Sequence, residues 1–220
     1  MEKGYFITGT DTNVGKTWAT IAIMQYFKNR GKSVLGMKPV ASGCFMHEGQ
    51  LKNSDALMIQ DHASLLLDYH LINPYAYEQA VSPHIAGVHN PVNFDKLLMG
   101  FEQLKNLVEV VVVEGAGGWY SPLHQHHSVS DLAKILNVPV ILVVAIRLGC
   151  INHASLTQLA INQSGLDFAG WIAVATDPDM LCAEQNILTL KDRMDVPLLG
   201  VLPYRKQPDF NFFAEQLILG

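Results

Sequence analysis

The sequence predicts an α/β fold: one mainly parallel, doubly wound sheet flanked by helices, in a single domain spanning 1–220. Three observations carry this expectation. The runs "VEVVVVEG" (108–115) and "VPVILVVA" (138–145) are apolar at successive positions and rich in β-branched residues, as in strands covered on both faces. Strand-like and helix-like segments alternate along the chain, and right-handed crossovers turn such alternation into parallel strands. No linker, internal repeat or low-complexity tract divides the 220 residues.

In chain order, strands are expected at 4–8, 33–38, 108–115, 138–145, 171–175 and 198–202. Helices are expected at 17–29, 94–107, 129–136, 153–163 and 180–194. In the second of these Phe94, Leu97, Leu98, Phe101 and Leu104 share one helical face. Residues 40–93 scatter Pro, Gly, Asn and His and predict irregular structure and small helices, one of them near 54–62. Ligands of such sheets bind outside the carboxyl ends of the strands, so function is sought at strand exits.

Composition narrows the function classes. A hydrophobic fraction of 49% with 16% charged residues suits an ordinary globular core. The net charge of −5, without a Lys/Arg cluster, offers no field for nucleic acid or an anionic membrane. Cys44, Cys150 and Cys182 lack metal-site spacing and are odd in number, which predicts a reducing, cytoplasmic setting. No signal-type leader and no membrane-spanning run are read at the N-terminus or beyond.

"YFITGTDTNVGKTWATIAIMQYF" places a Gly-rich turn between a strand and an amphipathic helix, the context of a phosphate-binding loop and hence of a P-loop NTPase fold. Backbone amides of the turn can surround phosphate oxygens, Lys16 can reach the outer phosphates, and Thr17 can offer its hydroxyl to Mg²⁺. The usual spacing has four residues between the first Gly and Gly-Lys-Thr; here Thr10, Asp11, Thr12, Asn13 and Val14 intervene. Glu114 ends a dry apolar strand, where a carboxylate is costly unless it is paired or binds metal, with helix capping as the plain alternative. Lys38 leaves the second strand opposite the loop, as a functional cation or a solvated strand end. Asp55 stands in the first turn of the short helix, where it or Ser54 is a candidate N-cap.

Together, "GTDTNVGKT", "KPVASG", "NSDAL", "NPYAYEQAVSPHIA", "VVVEGAGGWYSPL", "PVILVVAIRLGCINHASLT" and "AGWIA" closely resemble the dethiobiotin synthetase family over nearly the whole chain. That family uses the five-residue loop spacing. The resemblance implies that ATP, CO₂ and 7,8-diaminopelargonic acid give dethiobiotin, ADP and phosphate through a carbamate that attacks the γ-phosphate. It implies catalytic Lys16 and Lys38, with Thr17, Asp55 and Glu114 holding Mg²⁺. Nucleotide contacts are implied for Asn13, Val14, Gly15, Lys16, Thr17, Trp18, Asp55, Glu114, Gly115, Ala116 and Gly117, and for Pro203, Tyr204, Arg205 and Asp209. Substrate contacts are implied for Thr12, Lys38, Ser42, Gly149, Cys150, Ile151 and Asn152, the last four from the partner subunit of a homodimer. Where the family reads adenine with an Asn-Asp pair, this chain has Val174 and Ala175, which predicts weakened base discrimination.

A second class, the switch ATPases of partitioning and division-site selection, shares the sheet and a related loop, but usually with a Lys early in that loop where Thr10, Asp11 and Thr12 stand. His124, His126 and His127 crowd one loop without a second ligand cluster, so a metal site is not expected there. Cys44 is expected to pack rather than react.

Overall fold

The computed structural model describes residues 4–219. β1 (Gly4–Gly9) leads into α1 (Lys16–Lys28) and β2 (Val34–Met37). Short pieces follow: β3 (Val40–Ser42), β4 (Phe45–His47), β5 (Gln50–Lys52), α2 (Ser54–Asp61), α3 (Tyr69–Ile72), β6 (Tyr75–Tyr77) and α4 (Pro83–Ala86). Next come α5 (Phe94–Lys105), β7 (Val110–Gly118), the hairpin of β8 (Pro122–His124) and β9 (His127–Ser128), α6 (Val129–Leu136) and β10 (Val140–Ala145). The chain continues with α7 (Cys150–Gln163), β11 (Phe168–Val174), α8 (Ala183–Arg193), β12 (Leu198–Leu202) and α9 (Phe210–Glu215).

Six strands form one sheet in the order β12-β11-β10-β1-β7-β2, every neighbouring pair parallel. Alternation along the strands splits the core into two layers. In β7, Val111 and Val113 join Phe6, Leu142 and Trp171 on one face, whereas Val110 and Val112 join Ile7, Val143 and Ile172 on the other. Both layers are dry, which explains why these strands carry no polar face; each fully buried Val contributes about 1.5–3 kcal/mol. Helices α5, α6, α7 and α8 supply side chains to the first layer, and α1, α2 and α9 to the second.

Several elements differ from the sequence expectation. β7 runs on to Gly118, because glycines without side chains stay close enough to pair with β1, where Gly9 opposes Gly118. Helix α7 starts at Cys150 rather than 153, since Gly149 adopts the left-handed conformation at φ 90° and turns the chain into the helix. Within 40–93 the expected small helices are present, α2, α3 and α4, and four short strands stand beside them where irregular structure was expected, with β3 parallel to β6 and β4 antiparallel to β5.

β2 carries Lys38 to the site, and its own packing is tight. A Cβ on Gly36 would collide with Ile59 of α2 and lie 2.8 Å from the Met24 sulfur of α1. Gly36→Ala is therefore expected to destabilise by about 1–3 kcal/mol through overpacking, read as a lower urea midpoint with an unchanged m-value.

Candidate active site

The exits of β1, β2 and β7 converge. In the loop after β1, Asp11, Thr12 and Asn13 are exposed, while Val14 is fully buried beneath them. A Cβ on Gly9 would lie 2.6 Å from the Val14 side chain, so Val14 fills the inside of the loop and the residues before it bulge outward. Asn13 (φ 57°) and Gly15 (φ 89°) take left-handed conformations that close the turn onto α1. The Lys16 ammonium donates to the Asp11 carbonyl at 2.7 Å. Burial pushes its pKa down to about 8, against the opposing pull of Glu114, so this lysine suits an anion that would compensate its charge.

Lys38 is the centre of the cluster. Its ammonium donates to Glu114 Oε1 at 2.5 Å and to Asp55 Oδ2 at 3.0 Å, and the Thr17 hydroxyl donates to the same Glu114 oxygen at 3.0 Å. Burial alone would push the Lys38 pKa down, but Glu114 and then Asp55 outweigh it and the net shift is upward. Glu114 is 1% exposed and its Oε2 has no hydrogen-bond partner within the chain. A buried carboxylate oxygen left in that state is a site for an incoming cation or donor.

The sequence reading missed what aligns these groups. The Lys38 carbonyl accepts from the buried Asn73 side chain at 2.7 Å, and Asn73 Oδ1 accepts from the Tyr69 hydroxyl at 2.9 Å. Tyr69 Oη in turn accepts from the Asn53 amide at 2.7 Å. Asn53, rather than Ser54 or Asp55, is the N-cap of α2: its Oδ1 accepts from the amides of Asp55 at 3.1 Å and Ala56 at 3.3 Å. Capping is thus done by a neighbour, and the Asp55 carboxylate is left to meet Lys38. The only sequence hint was an Asn placed just before a short helical run.

Two cavities flank Lys38. The first, of about 330 Å³, is lined by Asn13, Gly15, Lys16, Thr17, Trp18, Glu114 and Gly117 and continues to Val174, Ala175, Thr176 and Tyr204. The second is lined by Val40, Ser42, Asn53, Ser82, Ala116 and Ser121. Thr12, Asn13, Lys38, Asp55 and Gly117 border both, so the two form one cleft divided by the bulged loop and the lysine. The Ser42 hydroxyl is buried without a partner there.

Other expected residues lie elsewhere. Gly115 packs beneath the cleft, where a Cβ would be 3.0 Å from Val129 and 3.3 Å from Phe6. Val14 is interior to its loop. Pro203 does not line either cavity. Arg205 and Asp209 line neither cavity: the Arg205 guanidinium lies 4.0 Å over the Phe212 ring, and Asp209 caps α9 by accepting from the Phe212 amide at 3.0 Å. Gly149, Cys150 and Asn152 line a separate hollow with Arg147 and His153, and Ile151 packs on the core. His127 sits 5.0 Å from the Phe94 ring, and no group of three His, Cys, Asp or Glu placed to hold a metal occurs among the described residues. The buried Cys44 thiol donates to the Ala41 carbonyl, as a packed residue does.

Comparison with known proteins agrees with this geometry. A family model described as AAA domain matches residues 3–210. A Cellvibrio japonicus protein named ATP-dependent dethiobiotin synthetase BioD is 44% identical over 204 residues, covering 92% of this chain and 90% of that protein. A Nitrosospira multiformis protein of the same name is 43% identical over 211 residues, covering 95% and 92%. Among solved structures, the septum site-determining protein MinD complexed with Mg-ADP from Pyrococcus horikoshii superposes with a TM-score of 0.57 at 17% identity, over 92% of this chain and 82% of that one. At that identity the likeness speaks for the fold alone.

Proposed function

The chain belongs to the ATP-dependent dethiobiotin synthetase family, and on that premise we propose that the cleft on either side of Lys38 brings ATP and the carbamate of 7,8-diaminopelargonic acid together. It is an ATP-dependent ligase of biotin biosynthesis. The switch-ATPase alternative is not favoured, because relatives at 42–44% identity are synthetases and the resemblance to MinD extends to the fold only.

One observation supports the reading above others: the Lys38 ammonium stands where the phosphate-loop cavity and the Ser42 cavity meet. In the first step an amine of the substrate takes up CO₂, loses a proton and becomes a carbamate. A carbamate oxygen then attacks the γ-phosphorus and ADP leaves. The neighbouring amine next attacks the carbonyl carbon of the mixed anhydride, the carbon–oxygen bond to phosphate breaks, and the ureido ring closes. Little covalent work falls to the protein in such a transfer; position and charge neutralisation carry it. Lys16, beside the loop amides, stabilises the transferring phosphoryl oxygens. Lys38 stabilises oxygens of both the carbamate and the phosphoryl group, and Thr12 and Ser42 orient the substrate.

The oxygen donors Thr17, Asp55 and Glu114 fit Mg²⁺, a hard cation usually held by one or two carboxylates together with nucleotide phosphates. The unpartnered Glu114 Oε2 is the observation that favours this. Bound there, the ion would supply charge neutralisation at the β- and γ-phosphates.

The proposal includes a homodimer in which the Gly149 to Asn152 segment meets the substrate carboxylate of the partner's site. In its own chain this segment lines neither cavity of the cleft, and no side chain caps α7 there. Around it Leu148, Leu156, Leu159 and Tyr120 are exposed apolar side chains, a surface suited to a second copy. No helix among the described residues is long and apolar enough to cross a membrane, and a cytoplasmic location is proposed.

The test is the reaction itself, with purified protein, ATP, Mg²⁺, bicarbonate and the diamine. Phosphate and ureido product are expected in equal amounts, with both lost on removal of the diamine or addition of a chelator. Steady ATP hydrolysis indifferent to the diamine would refute the synthetase reading.

A further inference from the structure

The far end of the nucleotide cavity differs in kind from the charged end around Lys38. Its walls are Val174, Ala175, Thr176 and Tyr204, with Trp18 beside them. Val174 is buried, and its methyl carbons press on the loop so closely that a Cβ on Gly15 would lie 2.7 Å from one of them. Ala175 has no functional group, and Thr176 is exposed.

At the end of β11 two backbone groups are already engaged. The Val174 carbonyl accepts from the Ile146 amide at 2.9 Å, and the Ala175 amide donates to the Leu202 carbonyl at 2.9 Å. The Asp177 carboxylate accepts from the Asp179 amide at 2.9 Å, Asp209 caps α9, and Arg205 lies over Phe212. None of the three lines the cavity; beside the exposed Thr176, the walls left to meet a base are flat rings: the Tyr204 ring, 40% exposed, and the half-buried Trp18 indole, itself 5.7 Å from the Phe213 ring.

We infer that this protein recognises its phosphoryl donor by the triphosphate and by the face of the base, with Tyr204 as the stacking residue, so that nucleoside triphosphates as a class serve in place of ATP. A site rejects an analogue strongly when a buried donor or acceptor is left unpaired by it, whereas an apolar slot cannot do so. Every base has a π-face, which makes aromatic stacking tolerant of base identity. The phosphate end supplies orientation regardless of the base.

This inference rests on the proposed ligase reaction, and one assay separates the two. Diamine-dependent product is followed with ATP, GTP, CTP and UTP in turn. Values of kcat/KM within about tenfold of one another are expected; ATP exceeding each of the others by 100-fold or more overturns the inference while leaving the ligase reading intact. No product with ATP would sink the ligase reading itself. Tyr204→Ala provides the second measurement. Loss of stacking is expected to raise KM by about 5- to 150-fold and by a similar factor for all four nucleotides, with kcat retained and Tyr204→Phe close to the parent. A KM rise confined to ATP would show edge-specific recognition and overturn the inference.

Discussion

Lys38→Ala is expected to lower kcat by at least about 10²–10³-fold, the usual cost of removing one charge-stabilising group from a transition state. A second effect should accompany it. Lys38 is the cation of Glu114, whose side chain is 1% exposed, and breaking one side of such a buried pair costs about 3–5 kcal/mol. The variant should therefore unfold at lower urea concentration, with native far-UV dichroism retained in buffer. Lys38→Met combined with Glu114→Gln should recover a large part of that stability but none of the activity, because the deeply buried carboxylate is neutralised together with its partner and the Asp55 carboxylate, 43% exposed, is left to solvent. A Lys38→Ala enzyme retaining more than a tenth of parental kcat would remove the lysine from the reaction.

The second large effect concerns two chains at once. Gly149→Val places a β-branched side chain at φ 90°, a conformation costly for any residue with a Cβ, at the start of the helix proposed to meet the partner's substrate. That variant and Lys38→Ala should each be nearly inactive alone. Mixed after unfolding and refolding, half of the dimers carry one copy of each, and one of their two sites is intact. Activity should rise to about a quarter of the parental value. A confirmed mixed dimer without such a gain would place the whole site within one chain, and a monomer by sedimentation would refute the shared site directly.

Much of this architecture could be read before any coordinates. Phosphate-loop glycines, the strand-end Glu114 and the strand-exit Lys38 are local signals: each sits at a position whose backbone role follows from a few neighbours in sequence. Parallel strands read clearly because burial on both faces removes every polar residue from Val110 to Val113 and from Val140 to Ala145. The relay from Lys38 through Asn73, Tyr69 and Asn53 to the Asp55 helix had no such signature. Hydrogen bonds between residues 16 or 35 positions apart leave no period in the chain. For the same reason the short strands within 40–93 went unread: they are held by partners outside themselves, and single elements of three residues carry too little pattern to be recognised.

Arg205 and Asp209 show the converse. The family resemblance put them near base and ribose, and no local signal announced that one lies over the Phe212 ring and the other caps α9. What the sequence determined by itself was the sheet, the phosphate loop and the inventory of charged groups, because periodicity and short motifs are properties of contiguous residues. Tertiary structure alone decided that Lys38 bridges Glu114 and Asp55, that Val14 turns inward so that Thr12 and Asn13 border both halves of the cleft, and that Val174, Ala175, Thr176 and Tyr204 wall its far end. Those outcomes depend on distances between segments far apart in the chain, and such distances exist only once the two core layers have closed on the sheet.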